Sequence, residues 1–332
     1  MTAFPSPTPD FLSRFESQLE SSLDDPRHSD REPRVLLEAS RHLAFAGAAK
    51  RMRPLLVDYF GAALDIPDHH RLAIATAAEL IHTASLLHDD VVDEGTHRRG
   101  RPTANHQWNN SVAVLGGDLL LCIALEQLYD LPRQVTVDAV TLVAEMTRAA
   151  MLEVEARTSG GWSLAEWEVI ADGKTGSLLS WCGVAPAISA GLPEQARRFG
   201  QCGRHLGLAF QITDDLLDLI GESARIGKNR FADLHNKNPS YPVALARSRS
   251  LPLRTALDEL WSKEIVTTQE LEPIAAWIIE LGVPALTLER IESHLDLALE
   301  ALGEFSTTAG GAHIAGWAEQ LRAMARNSLE GI

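Results

Sequence analysis

Two short runs of carboxylates carry the first chemical signal in this 332-residue chain: Asp89-Asp90-Val91-Val92-Asp93 and Asp214-Asp215-Leu216-Leu217-Asp218. On a helix the first and last Asp of each run share a face one turn apart, where like charges repel by roughly a few tenths of a kcal/mol and by more when desolvated. Hard divalent cations remove that cost. Mg²⁺ takes oxygen ligands octahedrally, keeps several waters, and usually works with one or two carboxylates plus substrate phosphates. Two such clusters therefore suit a diphosphate clamped by several magnesium ions. A lone Asp-Asp-x-x-Asp in an acidic protein is usually a solvated helix face. Here each run follows an apolar lead-in, Leu80 to His88 and Leu206 to Thr213, and neither lead-in is a solvated segment.

The elements that must position these runs are helices. From Val35 onward long Ala- and Leu-rich stretches alternate with breakers such as Asp65-Ile66-Pro67-Asp68, Leu131-Pro132, Gly191-Leu192-Pro193 and Leu251-Pro252. Alternating strand patterns and Asn-Gly turns are absent, so a sheet has little support. Helices are expected near residues 70–93, 111–130, 135–157, 165–190 and 195–220, and they are apolar over much of their circumference. Such helices belong inside a large bundle or around an apolar cavity. Pro5, Pro7 and Pro9 mark a disordered leader over residues 1–10, and Phe11 to Leu23 reads as an amphipathic helix. The fold class is all-α: one large helical bundle around a central apolar cavity, residues 11–330 forming a single domain.

Composition removes other classes. With 30 Lys plus Arg against 45 Asp plus Glu the net charge is −15, which argues against a nucleic-acid partner. Cys122, Cys182 and Cys202 are odd in number and scattered, which reads as buried thiols in a reducing compartment. No run of about 18 apolar residues suggests a membrane span, and the N-terminus lacks a basic and apolar signal. A cytoplasmic protein is expected.

With the motifs in view, the chain from about Lys50 to Pro242 resembles the trans-polyprenyl diphosphate synthase family. The residues that carry the likeness are Lys50-Arg51-Met52-Arg53-Pro54, Arg98-Arg99-Gly100 after the first aspartate run, Lys174-Thr175, Phe210-Gln211 before the second run, and Gly227-Lys228 with Asp233 after it. The resemblance implies the isoprenoid synthase type of fold, a homodimer, and condensation of isopentenyl diphosphate with an allylic diphosphate. It implies that Lys50, Arg53, His82 and Arg99 hold isopentenyl diphosphate. Arg98, Lys174, Thr175, Lys228 and Lys237 are assigned to the allylic diphosphate, with Arg98, Lys174, Lys228 and Gln211 closest to the reaction. Asp89, Asp93 and Asp214 would hold Mg²⁺, while Asp90, Asp215 and Asp218 either ligand directly or orient metal-bound water. The chemistry suits these residue types, because breaking the allylic carbon–oxygen bond leaves negative charge on the departing diphosphate. No general base is evident. In the family's chemistry the released diphosphate takes the final proton.

Ala84 and Ser85, five and four residues before Asp89, are small, as are Ala77 and Ala78 deeper on the same helix. The resemblance then implies a medium- to long-chain product. Two departures stand out: Phe231 occupies a position usually held by glycine, and Asn238 stands where a second lysine is expected, with Lys237 displaced by one. They keep open a low-activity partner subunit of a heteromeric synthase, against which the six aspartates argue. A class I terpene cyclase, which uses the same kind of helical cavity and aspartate-rich motif, is the other alternative, and Lys50, Arg53, Arg99 and the intact second aspartate run argue against it.

Overall fold

The apolar runs do form helices, and their caps lie at the breakers. The computed structural model describes residues 9–24, 33–46, 49–98, 100–159, 163–220, 231–238, 240–263 and 265–330. In chain order the elements begin with α1 (Pro9–Leu23), α2 (Arg34–Ala44), α3 (Met52–Ala63) and α4 (Asp68–Val92). A hairpin of β1 (His97–Arg98) and β2 (Arg101–Pro102) follows, then α5 (Ala104–Gln107), α6 (Asn110–Glu126), α7 (Arg133–Ser159) and α8 (Leu164–Ala171). After a π-helical segment (Asp172–Gly176) come α9 (Ser177–Ser189), α10 (Pro193–Ile220), α11 (Ala232–His235), α12 (Tyr241–Arg249) and α13 (Leu251–Trp261). The chain closes with α14 (Thr268–Glu280), α15 (Val283–Leu302), a 3₁₀ turn (Gly303–Thr307) and α16 (Ala309–Leu329).

The all-α expectation holds, and α1 matches the amphipathic helix read from Phe11 to Leu23: Phe11, Phe15 and Leu19, each four residues apart, are fully buried. The hairpin was not anticipated. Its strands are two residues each, paired His97 to Pro102 and Arg98 to Arg101, too short to show an alternating pattern. The buried apolar side chains from Phe11 to Ala325 form one continuous cluster. Among the described residues no single helix is long and apolar enough to cross a membrane. The bent pair α14 and α15, which reaches that length together, sends Leu271, Ile278, Ile291 and Leu295 into the core.

Three features aim the site. The first aspartate run ends α4 and the second lies in the last turns of α10. The first run thus sits at a helix C-terminus, where the partial charge of the unsatisfied carbonyls is also negative, which sharpens the demand for cations. The π segment interrupts the helical register between α8 and α9, a distortion that often marks functional sites, and it carries Lys174 and Thr175. It lies hard against α10: a Cβ on Gly207 would come within 3.0 Å of the Gly176 Cα and 3.1 Å of the Thr175 carbonyl oxygen. Only glycine there permits that approach.

Candidate active site

A cavity of about 790 Å³ opens between α4, α6, α7, α10 and the π segment. Charged groups gather at its mouth. Lys50 and Arg53 approach from the start of α3, His82 and Asp89 from α4, Arg98 from the hairpin, Lys174 and Thr175 from the π segment, and Gln211 and Asp214 from α10. Apolar side chains line the same cavity, among them Ile81, Leu121, Val143, Met146, Val154 and Phe210. Residues separated by more than 160 positions in sequence therefore share one chamber, lined by both charged and apolar side chains.

Backbone and ion pairing explain how Lys50 and Arg53 face inward. Arg51 between them adopts the left-handed conformation (φ 48°) and turns its guanidinium into the protein, where it is 8% exposed. It donates to Glu79 Oε1 on α4 at 2.7 Å and to both Glu16 oxygens on α1 at 2.7 and 3.0 Å, and it stacks over Phe15. A buried guanidinium is tolerated only when paired in this way. The cost of the αL backbone at a non-glycine residue is offset by those four contacts.

At the first motif the three aspartates have different surroundings. Asp89 lines the cavity with Lys174 Nζ 3.7 Å away. Burial raises its carboxyl pKa, and the neighbouring lysine opposes that rise. Asp90 is buried and accepts from Arg98 Nε at 2.7 Å, while its Oδ2 has no hydrogen-bond partner among the described residues. Asp93, the C-cap of α4, accepts from Arg157 Nη1 at 2.6 Å and does not line the cavity. Lys174 also pairs with Glu153. Burial works against its ammonium, but Asp89 and Glu153 outweigh it and hold the lysine charged above its ordinary range.

The second motif divides more sharply. Asp214 is exposed at the cavity mouth. Asp215 is buried and points away from the mouth: it accepts from Trp167 Nε1 at 3.0 Å, Gln211 Nε2 at 2.9 Å and the Tyr241 amide at 2.8 Å. Burial pushes its pKa up to about 7 against those three donors. Thr175 Oγ1 in turn donates to Gln211 Oε1 at 3.1 Å, tying the π segment to this network. Asp218 caps α11, accepting from the amides of Ala232 at 3.1 Å and Asp233 at 3.0 Å.

Several expected residues are not brought to the chamber. Ala84 is fully buried in the core and does not face the cavity, and the same holds for Ala77, Ala78 and Leu80. The helix presents Ser85 and Ile81 there because its four-residue repeat, counted back from Asp89, rotates Ala84 onto the neighbouring helices. Lys237, itself at φ 57°, donates to the Trp261 carbonyl of α13 and does not line the cavity. Phe231 takes the left-handed conformation (φ 65°) that glycine favours, with its ring buried in the core. Arg99 and Lys228 lie outside the described residues, as do residues 1–8 of the expected leader, while its last two residues, Pro9 and Asp10, instead open α1.

Sequence inspection missed Glu153, Arg157, Trp167 and Tyr241. The first two carry a faint signal, an acid and a base four residues apart on one helix. Trp167 carries none, since only the tertiary fold aims its indole at Asp215.

The donor set at the mouth is suited to a hard cation: oxygen ligands, one cavity-lining carboxylate from each motif, and an unsatisfied buried carboxylate oxygen on Asp90. Among the described residues no cluster of three or more ligating side chains forms a closed metal cage. Such a site would draw its remaining oxygens from a bound phosphate or from water.

Comparison with known proteins agrees with this architecture. The family described as polyprenyl synthetase matches residues 33–278. The chain is 34% identical over 274 residues to the all-trans-nonaprenyl-diphosphate synthase (geranyl-diphosphate specific) of Rhodobacter capsulatus, covering 81% of this chain and 82% of that one. It is 35% identical over 245 residues to the (2E,6E)-farnesyl diphosphate synthase of Mycobacterium tuberculosis, covering 70% and 67%. Its fold superposes on a polyprenyl synthase from Caulobacter crescentus complexed with calcium and isoprenyl diphosphate, with a TM-score of 0.80, 28% identity and 98% of each chain covered. On motif order, fold and family match together, the chain belongs to the polyprenyl synthetase family and is a prenyltransferase.

Proposed function

We propose that this prenyltransferase condenses isopentenyl diphosphate with an allylic diphosphate in a Mg²⁺-dependent reaction, giving a linear medium- to long-chain polyprenyl diphosphate. The observation that carries the reading is one chamber lined by cationic side chains, an aspartate from each motif and apolar side chains. Lys50, Arg53 and His82 are suited to hold the diphosphate of the alkene substrate. Arg98, Lys174 and Thr175 are suited to the allylic diphosphate, with Lys174 3.7 Å from Asp89. A guanidinium grips phosphate oxygens in pairs, while a lysine acts as a point charge. Mg²⁺ held by Asp89 and Asp214, and by Asp93 once Arg157 releases it, would when bound neutralise charge on the leaving diphosphate. Trp167, Gln211 and the Tyr241 amide hold Asp215 still behind Asp214, and Asp218 anchors the segment that follows. The apolar wall from Ile81 to Met146 excludes water from an allylic cation and accepts the growing tail.

Two further expectations have structural support. The continuous core supports one domain over residues 11–330. Val114 and Leu115 on α6, with Val137, Val140 and Leu152 on α7, are exposed large apolar residues, which supports burial of this surface in a homodimer. A cytoplasmic location accords with the free cysteines, of which Cys182 and Cys202 are buried as expected while Cys122 is exposed.

The test is mass spectrometry of products formed from isopentenyl diphosphate with dimethylallyl, geranyl, farnesyl or geranylgeranyl diphosphate, with and without Mg²⁺. Magnesium-dependent linear diphosphates establish the activity and read off primer and length. A cyclic hydrocarbon formed without isopentenyl diphosphate, or no product with any primer, refutes it.

A further inference from the structure

The cation side of the first aspartate run contains a group that the reaction as proposed does not use. Arg157, near the end of α7, donates to Asp93 Oδ1 at 2.6 Å and reaches Glu153 Oε1 at 3.1 Å. The other Glu153 oxygen takes Lys174, whose ammonium faces Asp89 at 3.7 Å. The result is an alternating chain, Asp93, Arg157, Glu153, Lys174, Asp89, in which both end carboxylates of the run are already matched to cations. Asp90 is matched by Arg98. The Arg157 side chain is only 21% exposed, so its charge is poorly screened by water.

We infer that Arg157 is a positioning residue that makes divalent-cation binding at the first aspartate run conditional on a diphosphate. This rests on the reading of Asp89 and Asp93 as groups that meet a divalent cation. In the substrate-free protein, a doubly charged ion arriving at Asp93 must displace a guanidinium from a short charge-assisted bond and then remain beside it. Lys174 adds a second repulsion from the Asp89 side. A diphosphate brings the negative charge that both cations lack once the carboxylates turn to the ion, so Arg157 and Lys174 gain a new partner as they lose the old one. Binding of cation and diphosphate is then coupled, and the coupling is the same whichever binds first.

The experiment measures Mn²⁺ affinity by electron paramagnetic resonance on the full chain, with and without inorganic pyrophosphate, for the wild type and for R157Q, R157M and R157K. Retention of helical signal and melting behaviour identifies which neutral variant is folded. The expected result is that a folded neutral variant binds Mn²⁺ at least tenfold more tightly than wild type without pyrophosphate, and that pyrophosphate then improves its binding by a smaller factor. R157K, which keeps the charge, stays near wild type. A purely structural role for Arg157 predicts the reverse, weaker Mn²⁺ binding in both conditions. The inference is overturned if the neutral variants bind Mn²⁺ no better than wild type in the absence of pyrophosphate. Wild-type protein that binds no Mn²⁺ in either condition overturns the metal reading itself, and this inference with it.

Discussion

Replacing Phe231 separates two opposing energies at a position where the backbone is left-handed and a large apolar ring is buried. The residue sits at φ 65° just before α11, and its ring is 1% exposed within the core. Phe231→Gly removes the backbone strain and the ring together. The strain costs about 1–2 kcal/mol for an L-residue. Truncating a buried phenylalanine costs about 3–5 kcal/mol, and glycine adds about 0.5–1 kcal/mol of unfolded-state entropy. The balance is a loss of about 3 kcal/mol, so the packed ring outweighs the strained backbone. Phe231→Ala loses the ring while keeping most of the strain, and should be less stable than the glycine variant by about 0.5–1 kcal/mol. Urea unfolding followed by circular dichroism gives both differences from the midpoints at constant slope. A glycine variant as stable as wild type would show that the ring contributes only about 0.5–1 kcal/mol, the strain relieved less the added entropy, and not the value expected of a buried phenylalanine. An alanine variant more stable than the glycine one would refute the left-handed backbone.

Three further outcomes follow from the same geometry. Asp214→Ala should lower turnover by several orders of magnitude while leaving stability within about 0.5 kcal/mol, because the carboxylate is exposed at the cavity mouth; near-normal turnover in steady-state assays would remove it from the machinery. Ser85→Phe should shorten the product seen by mass spectrometry, since Ser85 lines the cavity. Ala84→Phe should instead destabilise by about 1–3 kcal/mol through overpacking, since Ala84 is fully buried; equal product shortening by both would contradict the cavity wall drawn above. His294 of α15 is buried with its Nδ1 3.0 Å from that of His205, and burial holds its pKa down to about 4 against an ordinary 6.5. The unfolded chain binds a proton in that interval that folded His294 refuses, so stability should fall as pH drops from 6.5 towards 4, by up to about 3 kcal/mol. His294→Gln should flatten that limb of a pH-dependent unfolding curve; an unchanged limb would assign the loss to other groups.

What the sequence by itself determined is the part of the protein written in local chemistry. Helical periodicity, proline and glycine breakers and the two aspartate runs are readable because each depends on residues within a turn or two of one another. The order of Lys50, Arg53, Arg98, Lys174 and Gln211 along the chain was enough to bring the family and the substrate class into view. Even the departure at Phe231 was visible as a residue in a place that wants glycine. Only the tertiary structure decided which members of those motifs face the chamber. The two aspartate runs have the same local pattern, yet Asp214 lines the cavity while Asp215 turns to Trp167 and Tyr241, and Asp218 caps α11. Ala84 and Ser85 are equally small neighbours, and a single 100° step around α4 puts one in the core and the other on the cavity wall. Arg157 meets Asp93 across 64 positions of sequence. Such partnerships depend on how helices rotate and cross when they pack, and that rotation is set by the summed burial of many distant side chains.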